Sequence, residues 1–214
     1  MLLSGSRAGG TGVSEEKSSL KRAYNNFAEQ RERTELESWK REERESFLVR
    51  LKEANARTLL EIGAGTGRDS LYFGDRGLDV TAIDLSEEMV RLCTEKGIRA
   101  RLMDFYKLDV PDGAFDAVYA LNCLLHVPKS KLDGVLLEIK RVLKPGGLFF
   151  CGLYGGADSE GTWENDVYEP KRFFAMYSDG RVIEAYGRQF ELLDFHTVEM
   201  GQGSPHFQSL LLRK

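Results

Sequence analysis

From about residue 58 onward, short apolar runs alternate with stretches of helical spacing. "TLLEIGA" (58–64) is a continuous apolar run closed by glycine, the pattern of a strand buried on both faces. Residues 67–77 follow with helical spacing and stop at Gly77. "DVTAIDLS" (79–86) predicts a second strand. "SEEMVRLCTEKG" (86–97) predicts a helix with Ser86 as its N-cap and Gly97 beyond its end. Residues 98–104 and 115–123 predict two further strands. The helical stretch from 129 is halted by Pro145 and a glycine pair, and "LFFCGLY" (148–154) predicts a fifth strand. After a helix at 181–189, "FELLDFHTVEM" (190–200) and "HFQSLLLRK" (206–214) are separated only by "GQGSP", which predicts an antiparallel pair. The whole predicts an α/β fold: a seven-stranded, mostly parallel sheet with one antiparallel strand and helices on both faces.

Upstream the pattern is purely helical. Residues 19–30 and 36–54 predict two helices, and Leu36, Trp39, Phe47, Leu48 and Leu51 share an apolar face of the second. The Gly/Ser-containing residues 1–18 read as a flexible tail, and 19–214 as a single domain whose first part, 19–56, is a helical cap. One segment, 154–178, fits neither period. It is polar but studded with aromatic residues, which argue for order, and loops of that length in a compact domain carry function.

Composition narrows the class only a little. The chain has 214 residues, 42% of them hydrophobic, enough for a full core, and a net charge of −4. That balance argues against a broad nucleic-acid or anionic-membrane surface. No apolar run is long enough for a leader or a membrane span. Cys93, Cys123 and Cys151 are odd in number and lack metal-ligand spacing, so reduced thiols in a cytoplasmic protein are expected, and no metal site.

The chemistry concentrates around "LLEIGAGTGRD" (59–69), where Glu61 precedes Gly63, Gly65 and Gly67. Glycines between a strand and a helix N-terminus let a ligand lie against the backbone. A dinucleotide fingerprint would put its third glycine at 68, where this chain has Arg68. Asp84, at the end of the second strand, is placed to accept hydrogen bonds from both hydroxyls of a ribose. Asp104, after the third strand, suits an adenine amine, with Leu85 and Phe105 on the two faces of the ring.

Together with "MDF" (103–105), "FDAVYALNCLLHV" (115–127) and "VLKPGGLFF" (142–150), these residues resemble a class I S-adenosylmethionine-dependent methyltransferase, over roughly residues 20–214. The resemblance implies that S-adenosyl-L-methionine is the cofactor and S-adenosyl-L-homocysteine the product. It implies further that Gly63, Ala64, Gly65 and Gly67 lie against the methionine end of the cofactor, with Glu61 shaping that turn. Asp84 would hold the ribose, Asp104 and the backbone of Phe105 the adenine, and Asn122 would lie near the sulfonium and amino acid. Met89 and, from the cap, Tyr24 and Phe27 are further candidate contacts.

Methyl transfer demands an acceptor lone pair in line with the methyl group, and a base where the acceptor carries a proton. His126 is the candidate catalytic base, because it follows the fourth strand on the acceptor side. Tyr154, Trp163, Arg172 and His206 are candidate acceptor contacts, with 154–178 as the lid and Arg172 suited to a carboxylate or phosphate. Ala120-Leu121-Asn122-Cys123 lacks the Pro-Pro-aromatic turn of the base and glutamine methylases. The expected acceptor is therefore an O or N atom of a small molecule or short peptide, handled by a monomer or homodimer without nucleic-acid or membrane partners. A nicotinamide-dependent oxidoreductase and a non-catalytic S-adenosylmethionine-binding protein are the competing readings.

Overall fold

The computed structural model describes residues 11–201 and 205–214; most of the expected tail (1–10) and the tip of the 201–205 connection lie outside the described residues. Two helices, α1 (Thr11–Arg33) and α2 (Ser38–Glu53), precede β1 (Thr58–Ile62). Then come α3 (Arg68–Gly74), β2 (Asp79–Asp84), α4 (Glu87–Glu95), β3 (Ala100–Leu102), β4 (Phe115–Leu121), α5 (Leu132–Val142) and β5 (Leu143–Gly155). The chain closes with β6 (Ser159–Thr162), β7 (Phe173–Met176), α6 (Asp179–Gly187), β8 (Glu191–Val198) and β9 (His206–Arg213).

Seven of these strands form one sheet in the order β3-β2-β1-β4-β5-β9-β8. β9 runs antiparallel to both of its neighbours, so it is the one reversed strand of an otherwise parallel sheet. Strand order reverses between β1 and β4, and a crevice opens at the carboxyl ends of strands at such a switch. The apolar runs are explained by cover on both faces. Along β4, Val118 and Ala120 join the core under α5 and α6, while Ala117 and Tyr119 join the core under α2 and α3, and all four are fully buried. Phe47, Phe73, Tyr119 and Phe150 pack on one another in this second layer. Each large side chain so buried contributes about 1.5–3 kcal/mol.

Two sequence expectations change. Residues 11–18, assigned to the tail, begin α1. Lys17 is tied there to Asp104 at 2.5 Å and sits 4.0 Å over the Tyr106 ring, long-range contacts that local composition does not reveal. The expected lid contains a separate antiparallel pair, β6 with β7, registering Thr162 opposite Phe173. These strands are four residues each and lack alternation, which hid them. The N-cap reading holds, for Ser86 Oγ accepts from Met89 N. No helix among the described residues is long and apolar enough to cross a membrane.

Candidate active site

The three glycines of the β1–α3 turn all have positive φ (68°, 54° and 81°), yet each is there for a different reason. A Cβ on Gly63 would sit 2.5 Å from Cys123 Cβ, and one on Gly67 only 2.3 Å from Ile98 Cδ1. These two glycines serve packing. A Cβ on Gly65 would meet nothing within 4 Å, so of the three only Gly65 has room for a side chain. Its N–H donates to Asp84 Oδ2 at 2.9 Å, and Ser86 N–H donates to Oδ1 at 2.9 Å. Burial pushes the Asp84 carboxyl up, and the two N–H groups pull against that.

Two adjoining chambers meet at this turn. The first is lined by Leu20, Tyr24, Asp84, Leu85, Met103, Phe105 and His126; the second by Phe27, Glu61, Ala64, Asp69 and Tyr168. Arg31, Gly63, Gly65, Leu121 and Asn122 line both. Asn122 follows β4 with φ 53°, and its buried Oδ1 has no hydrogen-bond partner. Glu61 accepts from Ser70 Oγ, and burial, with Asp69 close by, pushes its carboxyl well up. Asp104 accepts from Tyr106 N–H at 3.0 Å and pairs with Lys17, and it lines a small separate cavity that also contains Phe105 and His126.

His126 sits between the first chamber and the lid. Its Nδ1 is 2.7 Å from the Phe173 carbonyl, so Nδ1 carries the hydrogen and Nε2 is the acceptor. The Tyr24 hydroxyl, 2.8 Å from Nε2, therefore donates to it, while Arg172 donates to the Tyr24 oxygen at 3.1 Å. Burial pushes His126 down to about 3, with the Arg172 charge adding to the effect, so the ring is neutral near pH 7. Burial also raises the Tyr24 phenol.

Several candidate residues play other parts. Met89 is fully buried against Ala28, Leu92 and Tyr24, on the α4 face turned to α1, and lines neither chamber. Arg172 is not available to an anionic acceptor: it grips Asp166 at 2.8 and 2.9 Å and lies 3.6 Å over the Tyr168 ring. Tyr154 packs edge-on against Trp39 and Phe207. Trp163 and His206 line an open cleft of about 660 Å³ beyond Phe174, where His206 Nε2 meets Asp179 at 2.7 Å. Phe174 stands between that cleft and His126, 5.3 Å from Trp163 and 4.8 Å from His126 between ring centres. Arg68, the residue in the dinucleotide glycine position, donates to the carbonyls of Arg31 and Glu32, which removes it as a phosphate ligand. Sequence reasoning missed Arg31 itself. The spacing Tyr24, Phe27, Arg31 along one helix face was the available signal.

Comparison with known proteins agrees with this geometry. Residues 60–151 match the family described as "Methyltransferase domain". Sterol 24-C-methyltransferase ERG6B of Gibberella zeae is 36% identical over 125 residues, covering 53% of this chain and 31% of that protein. Phosphoethanolamine N-methyltransferase 2 of Caenorhabditis elegans is 27% identical over 165 residues, 73% of this chain and 36% of that protein. The chain thus spans about a third of the length of these relatives. Among solved structures, the 1,6-didemethyltoxoflavin-N1-methyltransferase of Burkholderia thailandensis, bound to 1,6-didemethyltoxoflavin and S-adenosylhomocysteine, superposes with a TM-score of 0.75 at 21% identity, covering 99% of this chain and 93% of that one. The matched segment, from β1 into β5, carries Gly63, Gly65, Asp84 and Asn122 and resembles the methyltransferase-domain family, and the fold is that of the solved methyltransferase.

The residues present fit that family's cofactor. A backbone bare of side chain at Gly65, a buried carboxylate at Asp84 and an orphaned acceptor at Asn122 border one continuous space. No group of three or more metal-ligating side chains is clustered among the described residues.

Proposed function

We propose that this chain transfers a methyl group from S-adenosylmethionine to a nitrogen or an acidic hydroxyl of a small molecule. The observation that carries the reading is the Tyr24–His126 hydrogen bond on the wall of the chamber that also holds Gly65 and Asp84, with Arg172 bonded to the Tyr24 oxygen. When bound, the cofactor supplies a methyl group activated on a sulfonium for in-line displacement. Asp84 would receive the ribose hydroxyls, and Leu85 and Phe105 would flank the adenine. Tyr24 lines the chamber beside His126: it would take the acceptor's proton as its own passes to His126 Nε2, with Arg172 steadying the oxygen between the two transfers. A ring held near a pKa of 3 is a weak base, so this relay serves acceptors that release a proton readily or need release none. The covered chamber and the engaged Arg172 favour a small, non-anionic acceptor. The three cysteines are free and buried, in keeping with a reducing, cytoplasmic setting.

Two experiments test this. Calorimetry with S-adenosylhomocysteine against Asp84→Ala is expected to show a loss of about 1.5–3 kcal/mol, the worth of charge-assisted hydrogen bonds to a buried ligand; unchanged affinity removes the ribose assignment. A panel of nitrogen heterocycles, amines and phenols with isotope-labelled methyl donor identifies the acceptor. His126→Ala should then lower kcat while leaving the affinity for S-adenosylhomocysteine nearly intact. Equal losses in both favour a purely structural histidine.

A further inference from the structure

The cleft beyond Phe174 is an opening that the cofactor reading does not use. At about 660 Å³ it is large enough for a whole small molecule, and it lies at the end of β5, the strand beside β4. Its floor is the bare backbone of Gly155 and Gly156. A Cβ on Gly155 would run into the Gln208 carboxamide, and one on Gly156 would sit 2.6 Å from the His206 ring, so these two side chains take the room the glycines leave. Gln208 and His206 both donate to Asp179 Oδ1, each at 2.7 Å. Burial raises the Asp179 carboxyl, but those two hydrogen bonds outweigh it and hold it below its usual value. Asp179 is thus the acceptor and His206 Nε2 carries the hydrogen. That leaves Nδ1 as an acceptor to which no described residue donates. On the wall, Phe174 faces Gly161 across the β6–β7 ladder, where a Cβ would meet nothing within 4 Å. Cross-strand partners share a face, so the Phe174 ring has free room beside it on the cleft side. Its backbone is fixed, by the ladder and by the bond from His126 to the preceding carbonyl. The described lining includes Glu160 and Glu164 and no lysine or arginine.

We propose that this cleft receives the body of the methyl acceptor, a flat nitrogen heterocycle, neutral or cationic, that carries a ring N–H. Phe174 is the partition that turns aside to let the methylated atom, at the other end of the heterocycle, reach the chamber beside His126. The proposal rests on the methyltransferase reading and narrows the acceptor class left open there. Each part of the cleft selects. Trp163, 41% exposed, and Met176 offer a face for a flat ring. His206 Nδ1 takes the ring N–H. Glu160 and Glu164 turn carboxylates and phosphates away. Phe174 touches both sides, edge-on to Trp163 and tilted against His126, so its rotation is felt at both rings.

Magnetic resonance on the full chain saturated with S-adenosylhomocysteine tests this, with benzimidazole as the probe. Two signals report, the indole N–H of Trp163 and the imidazole N–H of His126, assigned with Trp163→Phe and His126→Gln. Both should move in one titration, Trp163 because the heterocycle stacks on it and His126 because Phe174 leaves its ring. 1-Methylbenzimidazole, which lacks the N–H, should bind about fivefold or more weakly. Benzimidazole-5-carboxylate should move neither signal. His206→Phe should erase the difference between the first two probes, and His206→Gln, which keeps an acceptor, should retain part of it. Affinity for S-adenosylhomocysteine should be unchanged in both variants. A Trp163 signal that moves alone places the probe in the cleft without a link to the chamber and overturns the acceptor assignment. Equal affinity for benzimidazole and its methylated form, binding of the carboxylate, or no shift at all overturns the cleft as described. In each of these cases bound S-adenosylhomocysteine leaves the methyltransferase reading standing, whereas protein that does not take up S-adenosylhomocysteine overturns both. Should His206→Phe fail to fold, the three probes on wild-type protein still decide.

Discussion

The floor and the roof of this site are built on opposite plans. The floor is the rim of the sheet: Gly65, Asp84 and Asn122, each within a few residues of the end of β1, β2 or β4. The roof is α1 and the lid, joined by contacts between residues 137 to 148 positions apart. Floor residues keep unspent capacity, an orphaned oxygen at Asn122 and free space at Gly65. Roof residues spend most of theirs on one another, as Arg172 does on Asp166, Tyr168 and Tyr24. A side chain with the right chemistry for a ligand is thus no evidence of a ligand until its partners are known.

The largest effect is expected in the roof. Asp166→Ala strands the Arg172 guanidinium, whose side chain is 12% exposed against 3% for Asp166, and should cost about 3 kcal/mol in denaturant unfolding. A loss below about 1 kcal/mol would mean that water or Tyr24 compensates, and the contrast with the floor would weaken. Next, the glycines divide the floor. Gly63→Ala and Gly67→Ala should each destabilise by about 2 kcal/mol or more, because backbone strain adds to a clash with Cys123 or Ile98. Gly65→Ala should cost only about 1 kcal/mol of stability, the strain alone, but weaken S-adenosylhomocysteine; uniform effects at all three positions would erase the distinction.

A pH titration sharpens the comparison further. His126 is neutral when folded and titrates only near 3, so the unfolded chain takes up its proton first as pH falls. Its stabilising contribution is whole above about pH 6.5 and declines below, by about 2 kcal/mol from pH 7 to 5. His196, outside the site, behaves oppositely. Its burial lowers the pKa, but Glu43 and Asp194 outweigh this and raise it. Its contribution is present below the ordinary value and fades as pH rises through the raised one. Unfolding curves of His126→Gln should therefore lose the acid-side decline, and those of His196→Gln should make it steeper. Matching pH profiles for both variants and wild type would contradict both assignments. The smallest effect belongs to Trp163→Ala. At 41% exposure its stability should shift by no more than about 0.5 kcal/mol, with any functional change confined to the KM for the acceptor.

How much of this was legible in the sequence follows the same division. The strands, their order of appearance, the reversed last strand and the acids at strand ends follow from periodicity and spacing, because those features are local. Ser86 as a cap and Asp84 beside the glycine turn needed no tertiary information. Arg172, read as an anion receptor, is held by Asp166, six positions away, in a segment without period; its remaining contacts depend on Tyr24, 148 positions back. Met89 had the right neighbours in sequence but faces α1 instead of the chamber. His126 was found by position alone, and its neutral, doubly hydrogen-bonded state came only from the fold.

The reversed strand imposes an order of assembly. β9 fills the gap between β5 and β8, so neither of those edges is paired on that side until residues 206–213 have been synthesised. From the emergence of β5 until β9 follows, a growing chain on the ribosome carries an open strand edge along the buried run Leu148–Leu153, joined by the β8 edge only shortly before β9. That side of the sheet closes only when β9 slots in.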